Sequence, residues 1–151
     1  EHAYVLKKGE TKAPDFLEEA FKKGNQVQDI FTSNFATGKT GNEILLKSLA
    51  EAKSAGLQPS IYTHPLGLYG HSAGPTIGMW DAQEGVPIKG DYPMFAQTAY
   101  SIELNAASFI EKWNKEIRIM LEEDAFFDGK SVTYLDNRQT EFHLIHSGEA
   151  Q

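Results

Sequence analysis

Four side chains of the 151-residue sequence are the strongest candidates for metal-ligand or acid–base chemistry. His64 and His71 lie seven residues apart in the Gly- and Pro-rich stretch THPLGLYGHSAGP, which alone fits a loop with two histidines, although seven residues could also cross a strand and a turn. Glu103 and Glu122 follow in apolar, strand-like segments. Imidazole and carboxylate groups bind divalent metals and exchange protons, so the four residues are candidates for a site.

The alternation of apolar and polar residues indicates which face of its strand carries each glutamate. Glu103 interrupts the apolar segment 100–104, where a solvated outer sheet face is the ordinary explanation. Glu122 ends the alternating segment 116–122 and shares its face with Arg118, so an ion pair with Arg118 and simple exposure both stay open. Pattern alone therefore does not assign a site.

Two predicted helices must precede and support these strands. The first begins near Pro14 and continues at helical spacing to Phe35. The second follows a T-x-x-E capping box at Thr40 and Glu43 and stops at Gly56. Further strand candidates are residues 3–7, 131–134 and 141–145. Helices first and strands later predict one α+β domain, with helices on one face of a mainly antiparallel sheet.

The GKT triplet at residues 38–40 resembles the end of a phosphate-binding loop. The full motif requires a glycine where this chain has Ser33, and it must follow a strand rather than a helix. We therefore exclude nucleotide binding and assign Thr40 to the helix cap.

Composition excludes several classes of function. The net charge of −7 argues against a nucleic-acid partner, and the absence of cysteine excludes disulfides and thiolate chemistry. No apolar run is long enough to span a bilayer, so we expect no membrane association. The compartment stays open, with the cytoplasm favoured over export.

The order of the motifs resembles the pita-bread metallopeptidases, the family of creatinase, aminopeptidase P and methionine aminopeptidase. THPLGLYGH resembles the family's histidine segment, TAYSIELN and IRIMLEEDAFF its two metal-glutamate strands, and SVTYLDNRQTEF its closing strands. The resemblance covers essentially the whole chain and is nearest to the Xaa-Pro aminopeptidase branch. It implies a partial pita-bread fold with two main helices on a curved sheet.

The resemblance assigns a role to each candidate residue. His64 matches the metal-binding histidine, and His71 matches the catalytic histidine that contacts substrate and steadies the tetrahedral intermediate. Glu103 matches a metal ligand that also exchanges protons with the metal-bound water. Glu122 matches the glutamate that bridges two divalent ions (Mn, Co, Fe or Zn), and Glu123 is the alternative one position further.

The sequence also departs from the family pattern. Two aspartate ligands are missing, because Asp15 and Asp29 fall in a predicted helix. We therefore expect residues 1–151 to be the C-terminal portion of a catalytic domain truncated upstream of Glu1. Ser60 and Ser72 stand where aminopeptidase P members carry a histidine and often an acid, which puts proline specificity in question.

The resemblance implies an aminopeptidase or dipeptidase that hydrolyses an N-terminal peptide bond with a metal-activated water. Without the two aspartates, we expect this chain alone to be inactive and to self-associate as a dimer or larger assembly. A non-catalytic peptide- or protein-binding module of the same fold is the alternative. A metal-free amidinohydrolase is disfavoured, because Glu103 and Glu122 are retained.

Overall fold

Two helices cover one face of an antiparallel sheet in the computed structural model, which describes residues 1–147. The helices are α1 (Asp15–Ser33) and α2 (Gly41–Ser54). The sheet contains, in spatial order, β3 (Gly70–His71), β2 (Gln58–Gly67), β4 (Thr98–Ile110), β5 (Lys115–Phe127) and β6 (Val132–Tyr134). The predicted α+β architecture is confirmed.

A second, two-stranded sheet joins the two ends of the described chain. In it β1 (Ala3–Leu6) pairs in parallel with β7 (His143–His146). Short 3₁₀ turns at Lys89–Asp91 and Glu111–Trp113 complete the regular structure. No helix within residues 1–147 is long and apolar enough to cross a membrane.

The hydrophobic core lies between the helices and the sheet. Alternate residues of β4, including Tyr100, Ile102 and Leu104, face the helices and are buried there. Phe31 from α1 and Leu45 from α2 are fully buried against them. Each such side chain contributes roughly 1.5–3 kcal/mol on burial, so this face fixes the orientation of the sheet.

The predicted capping box of α2 is confirmed. The Thr40 hydroxyl accepts from the Glu43 N–H at 3.1 Å, and the Glu43 carboxylate accepts from the Thr40 N–H at 2.8 Å. Two N–H groups that lack helical partners are thereby satisfied. The GKT triplet therefore serves the helix terminus.

Of the two interpretations of the histidine segment, the strand followed by a turn is the correct one, because residues 58–67 form strand β2 and His71 follows in β3. The prolines mask this strand in the sequence. The N–H and C=O groups of Thr63 bond to Ile77, on the side of β2 that faces away from β4. The backbone groups of Pro65 point to the same side, because Pro65 lies two residues further along the strand. Because the N–H that Pro65 lacks would point to that side, no bond to β4 is lost. The same holds for Pro59, which lies an even number of residues from Pro65.

The β4–β5 hairpin is longer than the sequence pattern predicted. It pairs continuously from Thr98 with Phe127 to Ile110 with Lys115, beyond the segments 100–104 and 116–122. Its turn places Asn114 in the left-handed region at φ 46°, which asparagine tolerates. The resulting register sets Glu103 opposite Glu122.

Candidate metal and catalytic site

The candidate residues meet on the sheet face that points away from the helices. Three strands contribute to this polar face, because residues paired across antiparallel strands project to the same side. One cross-strand row consists of Tyr62, Glu103 and Glu122, and the next consists of His64, Ser101 and Asp124. Pairing thus brings together residues up to 60 positions apart.

His64 is buried and oriented from both sides. Its Nδ1 lies 3.0 Å from the Pro65 carbonyl oxygen, and its Nε2 lies 2.9 Å from Glu103 Oε1. A carbonyl oxygen can only accept, so Nδ1 carries a hydrogen. Nε2 is then directed at Glu103, in the arrangement that metal-binding histidines adopt when a carbonyl fixes their second nitrogen.

His71 lies directly over His64. The two rings stack with centroids 3.8 Å apart and planes inclined by 18°. The His71 Nε2 also lies 3.2 Å from the Tyr62 hydroxyl. His71 is exposed, so it sits at the outer rim of the site, where a substrate could reach it.

Glu103 is the carboxylate most perturbed by this environment. Burial raises the pKa of Glu103 above its ordinary 4.5, and the nearby Glu122 carboxylate raises it further. The charges of His64 and His71 and the hydrogen bond from His64 oppose this rise. Three-quarters of the Glu103 side chain is buried beside His64, a position from which a carboxyl group can exchange a proton.

The two neighbouring glutamates of β5 face opposite sides of the sheet. Glu122 lies on the polar face opposite Glu103 and is exposed. Glu123 projects to the helix side, where its carboxylate accepts from the Gln139 N–H at 2.8 Å. Arg118 donates to Asn105 and Glu116 rather than to Glu122. Glu122 is therefore the β5 glutamate that can join the site.

The two helical aspartates lie away from the polar face, as expected. Asp15 pairs with Lys12, and Asp29 pairs with Arg138. Both belong to α1, which packs on the opposite side of the sheet. Neither can supply a missing ligand.

The donors present fit a divalent metal in type but form an incomplete set. An imidazole nitrogen and two carboxylates suit Mn, Co, Fe or Zn. However, residues 1–147 contain no group of three or more His, Asp or Glu side chains arranged to hold a metal ion. A complete centre would need further donors.

Sequence reasoning missed three residues of this face. Tyr62 and Asp124 belong to it through strand register, and alternation from Glu122 could have identified Asp124. Trp80 lines the same groove as Glu103 and Glu122. It lies in an irregular turn, so no periodicity could have revealed it.

The chain shares its fold with solved structures that are named as Xaa-Pro aminopeptidases or dipeptidases. The X-Pro aminopeptidase of Thermotoga maritima MSB8 superposes with a TM-score of 0.63 at 16% identity, covering 89% of this chain and 35% of that one. The Xaa-Pro dipeptidase of Bacillus anthracis gives 0.59 at 16% identity, covering 89% and 34%. The dipeptidase PepE of Mycobacterium ulcerans gives 0.55 at 20% identity, covering 89% and 33%.

These similarities establish the fold. No protein-family model matches the sequence, and no curated protein matches it. The chain spans about a third of the length of the solved structures it matches. The partial pita-bread fold that the resemblance implied is thus confirmed.

Proposed function

We propose that this chain forms part of a metal-dependent aminopeptidase or dipeptidase of the Xaa-Pro type. The observation that carries the proposal is the contact between His64 Nε2 and Glu103 Oε1 opposite Glu122, on the polar face of a pita-bread sheet. We propose His64, Glu103 and Glu122 as metal ligands. The remaining donors would be two aspartates that lie outside this chain in a longer polypeptide.

In the proposed reaction, each residue of the chain has a separate task. Two divalent ions, when bound, would supply an acidified water as nucleophile. Glu103, as a carboxylate, would take the proton of that water, for which a raised pKa makes it the stronger base, and the resulting carboxylic acid would return the proton to the leaving amine. His71, exposed and stacked on His64, would donate to the oxygen that gains negative charge.

A matched pair of variants tests the proposed activity. We expect the 151-residue chain with Mn²⁺ to leave Xaa-Pro dipeptides intact, and a longer polypeptide that includes the upstream residues to cleave them. In that polypeptide, Glu122→Gln should reduce kcat/KM by at least about 100-fold. Glu123→Gln, which keeps an oxygen for the Gln139 N–H, should stay near the starting value. Equal effects of both substitutions would refute the ligand assignment.

A non-catalytic peptide-binding module is the second candidate. It would use the same polar face, where the exposed His71 and Trp80 could contact a peptide without a metal ion. The identity of the residues that precede Glu1 distinguishes the two, because aspartates at family spacing favour the peptidase. Peptide binding without hydrolysis by the longer polypeptide would establish the module.

A further inference from the structure

The His71 ring is contacted by the hydroxyl of Tyr62, a residue to which the proposed reaction gives no task. The Tyr62 hydroxyl oxygen lies 3.2 Å from His71 Nε2. Within residues 1–147, it is the one group that hydrogen-bonds to the His71 side chain. A hydrogen bond at one ring nitrogen of a neutral histidine decides which nitrogen carries the hydrogen. Tyr62 is therefore placed to select the tautomer of His71.

Tyr62 is held more firmly than the histidine that it contacts. It lies inside the ten-residue strand β2. The neighbouring Ile61 is bonded at both its N–H and its C=O by Gln83, which follows the turn that carries Trp80. His71 instead lies in the two-residue strand β3 and is exposed. Tyr62 is therefore the fixed partner, and His71 is the residue that is positioned.

The chemistry of the two groups gives the direction of their hydrogen bond. A phenol hydroxyl donates readily, and the unprotonated nitrogen of a neutral imidazole can only accept. Donation from Tyr62 to Nε2 leaves the hydrogen of His71 on Nδ1, which has no partner within residues 1–147. The stack on His64, with ring centroids 3.8 Å apart, fixes the plane of the same ring. An oriented N–H donor thus faces the outer rim of the site.

We infer that Tyr62 is a positioning residue, which holds neutral His71 in the Nδ1–H tautomer and so makes Nδ1 the donor to an oxygen of a bound ligand. The inference rests on the proposed function, in which His71 donates to the oxygen that gains negative charge. It adds which nitrogen donates and which side chain selects it. A donor that is oriented in advance needs no rearrangement as charge develops.

The tautomer can be measured in the isolated chain by NMR. Histidine side-chain ¹H–¹⁵N spectra at about pH 8.5, where unperturbed histidines are neutral, separate protonated from unprotonated ring nitrogens. We expect His71 to carry its hydrogen mainly on Nδ1. Tyr62→Phe should lower the ratio of the Nδ1–H to the Nε2–H form about fivefold, as the loss of one neutral hydrogen bond implies. His64 is the internal control, because its Nδ1 donates to Pro65 in both proteins.

Tyr69→Phe is the matched control variant. Tyr69 is 92% exposed in the turn between β2 and β3, two residues from His71. Its hydroxyl makes no hydrogen bond within residues 1–147, so its removal should leave the tautomer ratio unchanged. The inference would be overturned by a predominant Nε2–H form in the starting protein, by an unchanged ratio in Tyr62→Phe, or by an equal fall in Tyr69→Phe.

A kinetic experiment separates this inference from the proposed function. In the longer polypeptide, Tyr62→Phe should lower kcat about fivefold with KM nearly unchanged, because the donor acts in the transition state. In a His71→Gln background it should cause no further loss, since Tyr62 acts through His71. An unchanged kcat, or a separate loss in that background, would overturn the positioning role. A polypeptide that cleaves no peptide but shows the expected change of tautomer would support the inference and refute the peptidase proposal.

Discussion

The contact between His64 Nε2 and Glu103 Oε1 requires one hydrogen between the two atoms. Since Nδ1 of His64 donates to Pro65, the bond between Nε2 and Glu103 is made either by an imidazolium with a carboxylate or by a neutral imidazole with a carboxylic acid. Burial and Glu122 favour the acid, while the two histidines favour the carboxylate. A metal ion would displace this proton from Nε2, so metal binding should release it.

The raised pKa of Glu103 predicts how stability depends on pH. The folded state holds this proton more tightly than the unfolded state, so the contribution of Glu103 to stability falls as pH rises above 4.5. Glu103→Gln removes this dependence and should be relatively more stable at pH 7 than at pH 4. Urea denaturation of both proteins at the two pH values measures it.

The opposite trend would contradict this assignment. If Glu103→Gln lost more stability at pH 7 than at pH 4, the ion pair with His64 would outweigh burial and the repulsion by Glu122. Glu123→Gln is the control, because its carboxylate lies on the other face.

At the scale of elements, the helices and strands that could be predicted are those that depend on local residue patterns. The capping box located α2, and alternation placed Glu103 and Glu122 on strands. The register that sets these glutamates opposite each other depends on the hairpin turn at Asn114, which carries no strong turn signature. A strand at His64 was only one of two interpretations and its bounds were not predicted, because Pro59 and Pro65 break the pattern, although their positions need no bond to β4.

Gly78 packs closely against the edge of β2, and its substitution tests this contact. It has φ +73°, and a Cβ atom there would lie 2.1 Å from the Ile61 carbonyl oxygen. Gly78→Ala should therefore lower the free energy of unfolding by more than about 3 kcal/mol. Gly56→Ala is the control, because Gly56 has a similar φ of +78° with open space around it, and should cost about 1 kcal/mol.

Equal losses in the two alanine variants, measured by urea denaturation, would contradict the close approach at Gly78. The comparison separates backbone strain, which both positions share, from the clash with β2. The result bears on function, because the same edge holds the Gln83 side chain that fastens the Trp80 turn.

At the scale of the whole molecule, the five-stranded sheet has one apolar face covered by helices and one polar face left open. The smaller sheet exposes apolar side chains, namely Val5, Leu144 and Ile145. Such side chains on a two-stranded sheet favour association with another copy. We therefore predict a dimer or larger assembly by light scattering, reduced to monomer by Val5→Lys. A monomeric starting protein would contradict this.

Paramagnetic broadening by Mn²⁺ in amide NMR spectra tests the central proposal, that the polar face forms part of a metal centre. We predict selective loss of signals from residues around His64, Glu103 and Glu122, with the effect abolished by Glu122→Gln and retained by Glu123→Gln. The proposal would be contradicted if the signals of residues on the polar face were not selectively broadened, or if the broadening were the same in both variants.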